Sequence, residues 1–85
     1  MITLTLVEQV KKKGIISQKR YIKFYHSTDK ARKEIPPIVA EMKLAKKEKR
    51  PPKISIDAVS YDTKSERTML LELKAITSID NEEDK

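Results

Sequence analysis

Cysteine is absent from this 85-residue chain, which excludes both a disulfide framework and a thiolate-held metal. The single histidine, His26, would leave a zinc site to be built almost wholly from carboxylates, a poor donor set for that ion. Glycine occurs once, at Gly14, and that scarcity, set against heavy use of lysine and isoleucine, argues against a flexible or low-complexity chain. No apolar run approaches membrane-spanning length, and the opening MITLTLVEQV is too short and too alternating for a signal peptide. These absences lead to the expectation of a soluble cytoplasmic protein with no cofactor and no membrane partner. The length suits one domain over residues 1–79, followed by an acidic, disordered tail at 80–85.

What is abundant is positive charge, and it is unevenly spread. Residues 1–30 hold seven Lys/Arg against two acids, and residues 31–53 hold eight against three. Residues 54–85 reverse the balance, with four cations against eight acids. A basic front and an acidic rear can steer an anionic partner toward one side, without conferring sequence specificity.

Ile2, Leu4 and Leu6 alternate with Thr3 and Thr5, the pattern of a half-buried strand reaching about Val10. Lys11-Lys12-Lys13-Gly14 then predicts a hairpin turn at the one residue that takes positive φ without steric cost. A second strand follows from about Ile16 to His26. Ser27-Thr28-Asp29 is a helix-start signal, but Ile35-Pro36-Pro37 lacks two amide donors. A short first turn or a loop is therefore expected over 29–34, with the main helix beginning near Pro36. Its apolar stripe would be Ile38, Val39, Met42 and Ala45, and Pro51-Pro52 would end it. A third strand is expected from Ile54 to Tyr61 and a fourth from Arg67 to about Ile79, joined by the polar turn Asp62–Glu66. The expected fold is an α+β two-layer sandwich: a four-stranded antiparallel ββαββ sheet with one main helix on one face.

Apolar parity then assigns Ile2, Leu4, Leu6, Ile22, Phe24, Ile54, Ile56, Met69, Leu71 and Leu73 to the helix-facing side of the sheet. All three tyrosines fall on the uncovered side. In KRYIKFYH, Lys19, Tyr21, Lys23 and Tyr25 would form an outward stripe, suited to base stacking beside phosphate contacts. Lys11, Lys12 and Lys13 at the hairpin tip would extend that path, and Lys46, Lys47, Lys49 and Arg50 would supply cations from the helix end. The same alternation also describes a plain solvated sheet face, since tyrosine favours strands and wets its hydroxyl there. Val7, Val59, Tyr61, Leu70 and Ile76 would make the uncovered side apolar enough to be an interface with a second copy or another protein.

His26, Ser27 and Asp29 are close in sequence, but no glycine-rich turn offers an oxyanion site, so a hydrolase is rejected. The leading expectation is a small basic non-enzymatic nucleic-acid-binding module, engaging DNA or RNA by phosphate contacts and tyrosine stacking on the first hairpin. Its composition would suit an accessory protein of a bacterium or mobile element. The alternative is a homodimeric or partner-binding structural or regulatory protein using the uncovered sheet face.

Overall fold

The computed structural model describes residues 1–76, in the order β1 (Ile2–Lys12), β2 (Ile15–Tyr25), α1 (Thr28–Glu48), β3 (Ile54–Ser60) and α2 (Lys64–Glu72). It is α+β, with a three-stranded antiparallel sheet ordered β2-β1-β3 and two helices. The expected ending at 79 and the acidic tail at 80–85 lie outside the described residues.

The β1–β2 hairpin closes through Lys13 and Gly14, at φ 51° and 80°, with Lys12 opposite Ile15. Positive φ at both loop positions is the signature of a type I′ turn, whose twist matches that of paired strands. This two-residue loop sets even positions of β1 opposite odd positions of β2. Ile2 faces Tyr25, Leu4 faces Lys23 and Leu6 faces Tyr21. Because Ile2, Leu4 and Leu6 are buried, Tyr21, Lys23 and Tyr25 must lie on the helix-covered side too. The expected orientation of β2 is thus inverted: Ile22 and Phe24 point outward, 57% and 55% exposed, while Tyr25 is 1% exposed.

β3 pairs with β1 as expected from Ile54, but its register slips by one residue. Leu6 faces Ile56 and Thr5 faces Ala58, which leaves Asp57 as a bulge. The extra residue switches parity beyond it. Val59, expected on the open side, packs against the core instead.

Of the two alternatives for residues 29–34 the helical one holds, and α1 begins at Thr28, not near Pro36, and runs through Pro36 and Pro37. The apolar stripe accounts for this, because Ala31 and Ile35 continue the line of Ile38, Val39, Met42 and Ala45 one turn earlier. Burying Ile35 contributes about 1.5–3 kcal/mol, which offsets part of the proline cost. The carbonyls that lose a donor belong to Arg32 and Lys33, both on the exposed side where water can reach them. Ser27 caps the helix by accepting from the Lys30 amide at 3.5 Å, a structural use of one member of the His26–Ser27–Asp29 group.

The expected fourth strand is replaced over residues 64–72 by α2. Thr63 Oγ1 accepts from the Glu66 amide at 3.1 Å. The Glu66 carboxylate accepts in return from the amides of Thr63 at 3.1 Å and Asp62 at 2.8 Å. This capping box satisfies three donors at the helix start. Glu66, Met69, Leu70 and Leu73 then recur at helical spacing, and Met69 and Leu70 enter the core at 2% and 0% exposure. Leu70, expected on an open interface, is therefore a core residue, and Ile76 packs against the same core.

Leu70→Ala is expected to destabilise the protein by about 2–5 kcal/mol, and Phe24→Ala by less than about 1 kcal/mol, in urea unfolding. Equal losses would contradict this assignment of inside and outside.

Candidate nucleic-acid interface

The stripe Lys19, Tyr21, Lys23 and Tyr25 lies on the α1 side of the sheet, from exposed Lys19 through half-buried Tyr21 and Lys23 to buried Tyr25. Tyr25 donates to Glu34 Oε1 at 3.0 Å, and Lys23 Nζ lies 2.5 Å from the same oxygen. Tyr21 donates to Glu8 Oε1 at 3.2 Å. Burial, with help from the adjacent carboxylates, pushes both phenols above their ordinary range. Lys23 holds the Glu34 carboxyl below its usual value by hydrogen bonding, and Glu34 in turn raises Lys23. Tyr25 is thus unavailable for base stacking, and Lys23 is already neutralised. Lys19 remains exposed, with its ammonium 5.5 Å from the centre of the Tyr21 ring. Tyr61 lies beyond β3, 40% exposed.

The hairpin itself projects. β3 pairs with β1 only as far as Glu8, and one further backbone bond joins the Gln9 amide to the Lys53 carbonyl at 2.9 Å. From Val10 to Ser17 the two strands have only each other. Eleven-residue strands reach about 37 Å, against cross dimensions of 26 and 20 Å for the whole molecule. Every residue from Lys11 to Arg20 is exposed. Between Gln9 and Arg20 there are five cations and no acid. Arg20 is the one of these held internally, paired with Asp57 across the open sheet face.

The Gln9–Lys53 bond also locates the second basic group. α1 starts at the far end of β2 and runs back, so that its C-terminus and Lys53 lie at the arm's end of the sheet. The helix stops at Lys49, in the left-handed region at φ 56°, where the Arg50 amide returns to the Ala45 carbonyl at 3.0 Å. Arg50, expected to contact phosphate, is instead committed within the fold. Its guanidinium spans both oxygens of Glu41 at 2.7 and 3.3 Å and reaches Glu48 at 2.6 Å. Glu41 also accepts from the Lys53 amide at 2.7 Å, which fixes the turn from α1 into β3. Arg50, then the Lys53 amide, hold the Glu41 carboxyl at a pKa of about 2.

The acids of this pole are thereby occupied: Glu41 and Glu48 by Arg50, and Glu8 by the Tyr21 hydroxyl. Lys11, Lys12, Lys13, Lys19, Lys46, Lys47, Lys49 and Lys53 have no carboxylate partner among the described residues. The opposite end carries Asp62 and Glu66, which meet the Met1 amine at 3.1 and 2.7 Å. That amine, then the Asp62 and Thr63 amides, keep Glu66 ionised down to about pH 2. The sequence reading sets the hairpin lysines on the uncovered side and the helix-end lysines on the helix side; the turn after α1 brings the two groups to one end of the molecule.

Among the described residues no three His, Cys, Asp or Glu side chains gather as metal ligands, and no helix is long and apolar enough to cross a membrane. The fold and site define a small α+β protein with a projecting basic β-arm. No protein-family model, no curated protein and no solved structure matches the chain.

Glu41 and Glu66 titrate near 2 when folded, against an ordinary carboxyl value of 4.5. Their contribution is therefore complete above about pH 5 and is lost as pH falls toward about 2. Urea unfolding across that window is expected to show falling stability, with a shallower slope in Glu41→Gln; an unchanged slope would contradict the Arg50–Glu41 arrangement.

Proposed function

We propose that this protein is a cytoplasmic, non-enzymatic nucleic-acid-binding module that grips phosphates with its basic pole. The observation that carries the reading is the shared location of the unsupported arm and the α1 C-terminus, which together present eight lysines unpaired among the described residues. A two-stranded ribbon is marginal in water by itself, so an arm of this kind gains order from what it touches. Its lysines carry no competing acid, and a polyanion is the complement of that surface. Tyrosine stacking drops out of the mechanism at Tyr25, which is buried and hydrogen-bonded to Glu34 of α1, while Tyr21 is half-buried and tied to Glu8.

Fluorescence anisotropy with labelled oligonucleotides tests the proposal. Affinity is expected to fall steeply with salt, with a log–log slope of about −0.9 for each phosphate neutralised. Replacing Lys11, Lys12 and Lys13 with alanine is expected to make that slope shallower by about 2.7 and to weaken binding to all sequences alike. No binding at about 50 mM salt, where phosphate contacts are strongest, would refute it.

A second reading is favoured by Ile22 and Phe24, which stand exposed side by side on the uncovered sheet face with Thr3 and Thr5 opposite. An apolar strip of this kind suits a second copy of the chain. Sedimentation is then expected to show a mass that rises with concentration and returns to the monomer value in Phe24→Lys. A monomer at every concentration would exclude this interface.

A further inference from the structure

Lys43, Lys46 and Lys74 rim a groove of about 530 Å³ between α1 and the end of α2. Buried Val39 and half-buried Met42 and Leu71 line it below them. The three lysines are exposed, and none meets a carboxylate among the described residues. Glu72, at the end of α2, pairs with Arg32 at 3.5 Å. The complement of an apolar floor under a cationic rim is a segment that carries an aliphatic side chain followed by acids.

The chain leaves the described fold at this groove. Lys74, in the left-handed region at φ 61°, turns it away from α2, and the Ala75 amide bonds the Leu70 carbonyl at 2.9 Å. Residues 72–74 flank Pro36, Val39, Ala40 and Lys43, whereas Ile76 flanks Met42 and Lys46. The backbone is therefore advancing along α1 toward the basic pole when it passes Ile76. The next nine residues read TSIDNEEDK, with one aliphatic, Ile79, and four acids against a single cation. An extended chain covers about 3.3 Å per residue, so Asp80 lies within about 13 Å of Ile76 and Asp84 within about 26 Å. Lys46 to Lys49 is only about 4.5 Å of helix rise, well inside that reach.

We infer that residues 77–85 dock on this groove, with Ile79 on its apolar floor and the acids on Lys43, Lys46 and Lys49, and so compete with nucleic acid for the basic pole. The inference rests on the reading of that pole as a phosphate-binding surface and adds its regulation by the protein's own acidic segment. A segment tethered this closely acts at an effective concentration of about 1 mM. An intrinsic affinity of about 0.1 mM then keeps it docked and weakens a competing ligand about tenfold. Salt loosens the docked segment as it loosens phosphate contacts, so the competition is strongest at low ionic strength.

The test joins touching carboxylates and lysines of the full chain with a water-soluble carbodiimide and reads the links by peptide mass spectrometry. Links are expected within one chain, from Asp80, Glu82, Glu83 or Asp84 to Lys43, Lys46 or Lys49, and are expected to fade when an oligonucleotide is added. Ile79→Ser leaves the net charge unchanged, yet is expected to weaken the links and to tighten oligonucleotide binding by about threefold or more at low salt. Asp80→Asn with Glu82→Gln, Glu83→Gln and Asp84→Asn is expected to tighten it by about tenfold and to steepen the salt slope. Circular dichroism would confirm that both variants are folded. Links spread equally to Lys30 and Lys64, in the first turns of α1 and α2, would overturn the docking, as would links only between two chains. Unchanged affinity in Ile79→Ser would overturn the competition. A protein that forms the expected links but binds no oligonucleotide would overturn the phosphate reading and the competition with it.

Discussion

When two residues close a β-hairpin, the faces of its strands are no longer independent. In this chain the Lys13–Gly14 turn ties Ile2 to Tyr25 and Leu6 to Tyr21, so burying the first strand's leucines carries the tyrosines inward with them. The rest of the core adapts to that tie. α1 covers the face so created, Glu34 and Glu8 accept from the two phenols, and the aliphatic residues of β2 are left outside. The arrangement runs against simple hydrophobic sorting, since Ile22 and Phe24 would bury more favourably than Lys23 and a phenol. Register wins because a one-residue slip would turn Ile2, Leu4 and Leu6 outward together.

The same hairpin also sets the electrostatics. It outruns β3 beyond Glu8 and carries its lysines past the edge of the helical layer, where no acid follows. At the base of this arm, Arg50 uses the carboxylates of Glu41 and Glu48 to shape the turn into β3. One arginine thus pairs with two acids and offsets part of the negative charge they would bring to the lysines around it. The fold's closing interaction and its basic pole are consequences of one geometry.

Much of this was legible from particular residues. Ile2, Leu4 and Leu6 announce a strand with a buried face, and Gly14 marks the turn. The second strand's faces could have been read as well, because a two-residue loop joined to β1's parity already implies Tyr21 and Tyr25 inside. Local apolarity points the other way, toward Ile22 and Phe24 inside. For α2 the overlooked signal was Thr63-Lys64-Ser65-Glu66, a capping box ahead of Met69, Leu70 and Leu73. The alternation of Met69, Leu71, Leu73 and Ala75 competed with it, and a run this rich in leucine supports either period. Pro36 and Pro37 misled for a different reason. Their cost is local, whereas the gain from burying Ala31 and Ile35 exists only once the sheet is present to receive them.

The amino-acid order alone determined the α+β class, the hairpin turn, the first strand's inner face and the excess of positive charge in the leading two-thirds. Those features depend on neighbours in sequence: the alternation of side chains along a strand, the φ freedom of glycine, and composition. Tertiary structure decided the rest. The bulge at Asp57 turned Val59 inward, the return of α1 brought Lys46–Lys49 to the arm, and Arg50 was drawn from the surface into the fold. Each of these depends on which strand lies beside which and where a helix ends, and such distances are set only when the chain closes on itself.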